Sequence, residues 1–219
     1  NLLMTSVLHF ATALSTIVVF KKEIFNLING LFYKNDKTSK SYIIKILIAI
    51  VPAGLVGFLL SDEIDLLFSG NMNLVGIMLI ITGALLFLTK IIRTQNFKIS
   101  RFHALIIGLS QAFAVIPGIS RSGATICTSL FLGNNKSEAA KFSFLIVIPV
   151  IIGAILRDIL SGDIFDSEIK ISIIVIGFIS SFLTGFLACK LMLKIVANNN
   201  LIYFSFYCLI LGIISIFII

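Results

Sequence analysis

Charge is what this sequence has least of. Only 12% of its 219 residues are Asp, Glu, Lys or Arg, where soluble domains carry about 25%. With 58% hydrophobic residues and a mean hydropathy of +1.13, there are too few polar groups to cover a water-soluble surface. A soluble globule is excluded, and the chain reads as one polytopic membrane domain, 1–219. Cysteine is also scarce. Cys127, Cys189 and Cys208 show no CxxC spacing and lie in apolar stretches, which argues for buried, inert thiols and against a disulfide framework or thiolate metal site. Acids number 10 against 17 bases, a formal charge of +7. In a membrane chain that excess marks cytoplasmic loops, so no nucleic-acid partner is expected. A basic n-region is missing too: Asn1–Phe10 already reads as part of a span, so it is not an intact signal peptide. A segment preceding Asn1 is expected.

What is present is a series of long apolar runs. About 20 residues are needed to cross the hydrocarbon core as a helix. Six runs qualify: Leu2–Phe20, Tyr42–Leu60, Met72–Thr89, Phe142–Leu156, Ile171–Cys189 and Leu201–Ile219. A seventh, His103–Leu132, is broken by Pro117-Gly118 into arms too short to cross unaided, His103–Ile116 and Ser120–Leu132. Between the runs, the loops 21–45, 90–101, 133–141 and 190–200 are basic, whereas 61–71 and 157–170 are the acidic ones. The positive-inside rule places the first group in the cytoplasm and the second outside. Both ends of 103–132 then lie on the cytoplasmic side, so this segment is a hairpin that enters and returns. Such backbone is tolerated at depth only inside protein or beside a wet cavity.

Sixteen of the 17 bases fall in loops. The exception is Arg121, the one charged residue of either sign outside those loops. A charge at membrane depth costs at least about 2.5–3.5 kcal/mol, and the spans hold no Asp or Glu to offset it. The partner is either in a preceding segment or a bound anion. Pro117 and Gly118 end the first arm, and Ser120 is a good N-cap for the second. The first turn of that second arm offers free N–H groups and the positive end of a helix dipole. Broken helices of this kind hold anions at mid-membrane. Arg121 adds a planar fork suited to phosphate. Thr125 shares a helical face with Arg121 and Ser122, and Gly118 and Gly123 permit close approach. Taken alone, the hydroxyl residues read as interhelical glue. With Arg121 and the Pro-Gly break, an oxyanion site is the better reading. These features do not separate phosphate, diphosphate and carboxylate.

The stretch GLSQAFAVIPGISRSGATI, Gly108–Ile126, closely resembles the PGxSRSxxT signature of the undecaprenyl-diphosphate phosphatase, or bacitracin-resistance, family. EAAKFSFLIVIPVIIGA (Glu138–Ala154) and VLHFATALSTIVVFKKEI (Val7–Ile24) resemble other segments of the same family, in order along most of the chain. The resemblance implies an all-α helical membrane bundle with an inverted repeat and two re-entrant helix-turn-helix hairpins. The hairpin at about 103–132 would be one of them. The other, with an ExxxE motif, would lie before Asn1. The implied enzyme is a multi-pass hydrolase of the bacterial inner (plasma) membrane. It removes the terminal phosphate of undecaprenyl diphosphate and so recycles the carrier lipid for peptidoglycan synthesis, cell-wall biogenesis, cell shape and bacitracin resistance. Implied too is a divalent cation, Mg or Ca, whose ligands are not visible in this chain. By resemblance and local geometry the site is Pro117, Gly118, Ser120, Arg121, Ser122, Gly123 and Thr125. Arg121 clamps the diphosphate, and Ser120 or Ser122 hydrogen-bonds it. Serine attack and attack by an activated water both remain open. The competing readings are a polyprenyl-phosphate flippase or secondary transporter with an anion site at the broken helix, and a non-catalytic lipid-binding subunit. A homodimer is compatible with the sequence, which does not decide assembly.

His9 heads a polar stripe with Thr5, Thr12 and Thr16. It reads equally as a proton shuttle lining a substrate cavity and as interhelical bonding. The family pattern often carries Gln there, which argues against an essential proton transfer. Gln111 reads as a donor to the substrate site or as glue between helices. His103 reads as a solvated loop end, Glu138 as a surface charge near Lys141, and Pro52 and Pro149 as kink positions. A cytoplasmic hairpin serving chemistry on the outer face requires its tip to open into an outward-facing cavity.

Overall fold

Apolar runs of this length satisfy their backbone groups internally only as helices, and helices are what the chain forms. The computed structural model describes every residue except 1, 34–35, 61–62, 65, 67–71, 93–94, 162–168, 199 and 218–219. The charges at Lys34, Asp62, Asp65, Arg93, Asp163, Asp166 and Glu168 lie outside the described residues. In order, the helices are α1 (Leu2–Val19), α2 (Lys21–Phe32), α3 (Lys37–Leu59), α4 (Met72–Leu88), α5 (Arg101–Phe113), α6 (Arg121–Phe131), α7 (Lys136–Ser161), α8 (Ile171–Ala197) and α9 (Ile202–Phe217). No strand forms among the described residues, only one isolated bridge between Phe97 and Asn134. α3, α7 and α8 are long and apolar enough to cross a membrane, as is α1 together with the bent α2; α4 and α9 are shorter apolar helices.

Each of the six expected spans coincides with a helix, and the broken run is two helices. The differences lie at the ends. Residues 21–45, expected as a loop, contain α2 and the first turns of α3. Lys136 and Lys141 lie in α7, and Lys190 and Lys194 in α8. Helices continue past the hydrocarbon into water, where charged side chains do not interrupt their hydrogen bonds, so counting apolar residues underestimates helix length. Pro52 and Pro149 sit within α3 and α7 as expected.

The chain divides into two compact units. The first is Asn1–Ile43 with Phe144–Leu193, and the second is Ile44–Ser143 with Lys194–Ile219. In the first unit α1 packs on α8 where side chains are small. The Ser181 hydroxyl donates to the Leu8 carbonyl at 3.1 Å, and Ser6 donates to Asp158 of α7 at 2.7 Å. In the second unit α4 and α9 run antiparallel at close range. Ser205 donates to the Gly83 carbonyl at 2.7 Å and Ser215 to the Met72 carbonyl at 3.0 Å. Between those bonds, a Cβ on Gly212 would stand 2.7 Å from the Gly76 carbonyl oxygen. Small residues and backbone-directed hydroxyls are how helices associate where no hydrophobic drive exists.

The α5–α6 pair forms a helical hairpin. The residues before α5 and after α6 are clasped together: the Gln95 and Phe97 amides donate to the Gly133 carbonyl at 3.2 and 3.0 Å, and the Asn135 amide to the Phe97 carbonyl at 3.2 Å. The His103 ring shares a 2.8 Å hydrogen bond with Asn134, whose amide nitrogen donates to the Ser129 hydroxyl at 3.0 Å. Both ends of the α5–α6 pair thus meet at one edge.

Candidate functional site

The break between α5 and α6 is assembled by backbone geometry. α5 ends at Phe113, earlier than Pro117 alone would demand, and the chain turns through bonds from the Val115, Ile116 and Ile119 amides to the Ala112, Phe113 and Ile116 carbonyls. Gly118 has φ +94, a conformation that side-chain-bearing residues rarely adopt. A Cβ there would stand 2.5 Å from the Val75 carbonyl oxygen and 2.9 Å from Met78. The turn is thus pressed directly onto α4.

One α4 side chain holds it there. Thr82, 2% exposed, donates to the Gly118 carbonyl at 3.4 Å and accepts from the Ser120 amide at 3.2 Å. Ser120 then caps α6, its hydroxyl accepting from the Gly123 amide at 3.1 Å. Gly123 allows this closeness, since a Cβ there would meet Ser120 at 3.0 Å. With the Ser120 and Gly123 amides used, the Arg121 and Ser122 amides make no hydrogen bond among the described residues. They are left as donors at the positive end of α6.

Arg121 stands at the first position of α6, half-buried. Its guanidinium has no hydrogen bond or ion pair among the described residues; the one ion pair there joins Lys141 to Glu138 at 3.6 Å. The Ser122 hydroxyl is also without a partner among them. Thr125 is different: 1% exposed, its hydroxyl lies 3.0 Å from the Arg121 carbonyl and 2.6 Å from the Ser143 hydroxyl of α7. Thr125 fixes α6 against α7, and its hydroxyl is engaged by protein atoms. Gln111 is 2% exposed, and neither end of its amide has a hydrogen-bond partner among the described residues. Pro117 is buried at the turn. These residues belong to the second unit; His9, exposed on α1, belongs to the first. In its stripe, Thr12 donates to the His9 carbonyl at 2.8 Å and Thr16 to the Thr12 carbonyl at 2.9 Å.

Arg121 and the half-buried helix terminus fall within the family signature, and comparison with known proteins agrees. Residues 1–214 match the model of the bacitracin resistance protein BacA family. The chain belongs to that family. An undecaprenyl-diphosphatase of Christiangramia forsetii is 48% identical over 218 residues, 99% of this chain and 82% of the relative. One of Bacteroides fragilis is 44% identical over 220 residues, 99% of this chain and 83% of the relative. An archaeal one, of Methanococcus vannielii, is 40% identical over 217 residues, 96% of this chain and 82% of the relative.

In this BacA-family chain the signature does not account for the whole site. Thr82 and Ser143 hold the break and α6 in place, and sequence reasoning missed both. The only signal for Thr82 is a lone hydroxyl before Gly83 in an apolar run. The implied divalent cation can be tested on donor chemistry. Mg and Ca take oxygen ligands, carboxylates foremost. The groups at the break without a partner among the described residues include a guanidinium, two amides and a hydroxyl, a set suited to an anion. Among the described residues no group of three or more His, Cys, Asp or Glu is placed to hold a metal ion. This donor set does not fit Mg or Ca.

Proposed function

We propose that the chain is an undecaprenyl-diphosphate phosphatase that binds the diphosphate at the start of α6. An oxygen from water ends on the terminal phosphorus, delivered directly or after a serine has carried the phosphoryl group; the anhydride P–O bond breaks, undecaprenyl phosphate leaves with the bonding electron pair, and a proton is released as inorganic phosphate forms. The product re-enters cell-wall synthesis, and the activity confers bacitracin resistance. The chain works in the plasma membrane, which is the inner membrane where a cell has two. The observation that carries this reading is the half-buried Arg121 guanidinium on a helix terminus, it and the first two amides of α6 making no hydrogen bond among the described residues. Arg121 would grip phosphoryl oxygens through its planar fork. Together with the helix terminus it would offset the negative charge that grows on the leaving oxygen. The Ser122 hydroxyl has no partner among the described residues, while the Ser120 hydroxyl accepts the cap bond and keeps its own proton to donate.

Phosphate release from a polyprenyl diphosphate by the purified protein in detergent tests this. Arg121→Ala is expected to slow release by about 100- to 1,000-fold, with helicity and elution unchanged. Arg121→Lys keeps the charge without the fork and should recover only part. Undamaged release by Arg121→Ala would overturn the role given to Arg121. An intact wild-type protein that releases no phosphate but moves the lipid between leaflets would establish transport instead.

A further inference from the structure

α2 carries a surface that the proposed chemistry does not use. It leaves α1 at 75°, with Phe20 alone between them. The 18 residues of α1 extend about 27 Å, close to the roughly 30 Å hydrocarbon core. Where α1 crosses upright, a helix that leaves its end at 75° would run near the membrane plane, at the headgroups. This angle is fixed by contacts at both ends of α2. The Phe20 ring lies 5.8 Å from that of Phe144. Gly30 packs so closely on the start of α3 that a Cβ there would stand 2.5 Å from the Ser39 Cβ, and its carbonyl accepts from the Asp36 amide at 2.8 Å.

The faces of α2 divide by composition. Ile24, Leu27 and Leu31 are half-buried. Phe25, Ile28 and Phe32, spaced three and four apart, form a bare apolar strip, 62%, 48% and 74% exposed. Lys22 and Asn26 are exposed beside it, and Lys21, Lys37 and Lys40 are exposed at its two ends. None of these four lysines has an ion-pair partner among the described residues. The nearby Asp36 carboxylate is taken by Thr38 and Ser39, accepting from their amides at 3.1 Å each and from both hydroxyls. Bare apolar side chains flanked by unpaired cations, on a helix lying in the plane, match the acyl–headgroup boundary of a negatively charged leaflet.

We propose that α2 is an interfacial anchor that binds anionic membrane lipid. Phe25, Ile28 and Phe32 sink into the acyl–headgroup boundary. Lys21, Lys22, Lys37 and Lys40 hold the headgroup phosphates. The protein has no tryptophan, so Phe25→Trp places a sole reporter on the strip. The full chain would be reconstituted in phosphatidylcholine vesicles with and without phosphatidylglycerol. Tryptophan emission is expected to be quenched most by lipids spin-labelled near the headgroup, less by lipids labelled deep in the chain, and little by aqueous iodide. Strongest quenching by the deep label would mean that α2 continues into the hydrocarbon. Strongest quenching by iodide would mean that the strip faces water or awaits a protein partner. Either result overturns the proposal. Electron paramagnetic resonance of spin-labelled lipids then measures selectivity for phosphatidylglycerol over phosphatidylcholine. The quadruple Lys21→Gln, Lys22→Gln, Lys37→Gln, Lys40→Gln variant should lose it severalfold while phosphate release in detergent is kept. Unchanged selectivity would overturn the role of the lysines.

Discussion

Arg121 and Gln111 are polar side chains of the α5–α6 hairpin whose burial no described residue compensates. Both were visible in the sequence as exceptions to an apolar pattern. Only the structure separates them from Thr125, which the sequence grouped with Arg121 by helical spacing and which instead bonds Ser143 at 2.6 Å. Spacing assigns a face; it does not say which neighbour that face meets. A buried amide with no partner costs about 1–3 kcal/mol, so Gln111 weighs against stability unless a ligand or water meets it. Gln111→Leu is therefore expected to raise the thermal midpoint in detergent while lowering phosphate release. Full activity in this variant would remove Gln111 from the substrate's surroundings. A lowered midpoint would show that the amide is satisfied in the free protein.

At the scale of elements, the site depends on a turn that tolerates almost no change. Gly118 combines φ +94 with a 2.5 Å approach of any Cβ to the Val75 carbonyl. Gly118→Ala is expected to cost about 1–3 kcal/mol from the backbone alone, and more from displacement off α4. Denaturation measured together with phosphate release should show both falling. Thr82 is the tether that sequence reading missed, because a single hydroxyl in an apolar helix carries no local sign of its distant partner. The start of α3 offers a prediction in pH. Hydrogen bonds from the hydroxyl and amide of Thr38, then those of Ser39, hold the Asp36 carboxyl below the usual carboxylate range. A depressed folded-state value stabilises above the ordinary carboxylate pKa and is lost as pH falls through the folded value. Asp36→Ala should thus lower the thermal midpoint at neutral pH, and the gap to wild type should narrow in acid. A gap that widens on acidification would contradict the capping role.

For the molecule as a whole, orientation follows from the charge pattern. In the second unit the basic loops at 90–101 and 133–141 are hydrogen-bonded to each other. The start of α9 reaches the end of α4 through Ser205 and Gly83, so the chain entering α9 lies at the same edge as the chain leaving α4. The native cysteines are all buried, so an introduced thiol is the reactive one. Lys98→Cys, Ser137→Cys and Asn198→Cys should label with an impermeant maleimide from one side of sealed vesicles, and Glu63→Cys from the other. Labelling of the first three from opposite sides would refute the hairpin.

The sequence by itself determined the membrane class, the places of the spans, the broken segment and Arg121 as the one charge within it, because these depend on local hydropathy and on backbone limits at Pro and Gly. It also carried the family signature. Tertiary structure decided what the other polar groups do. It tied Thr125 to Ser143, brought Thr82 to the break, left Gln111 without a partner among the described residues, and turned an expected loop into α2. Each of these follows from which distant segment packs alongside, and no local pattern of residues encodes that.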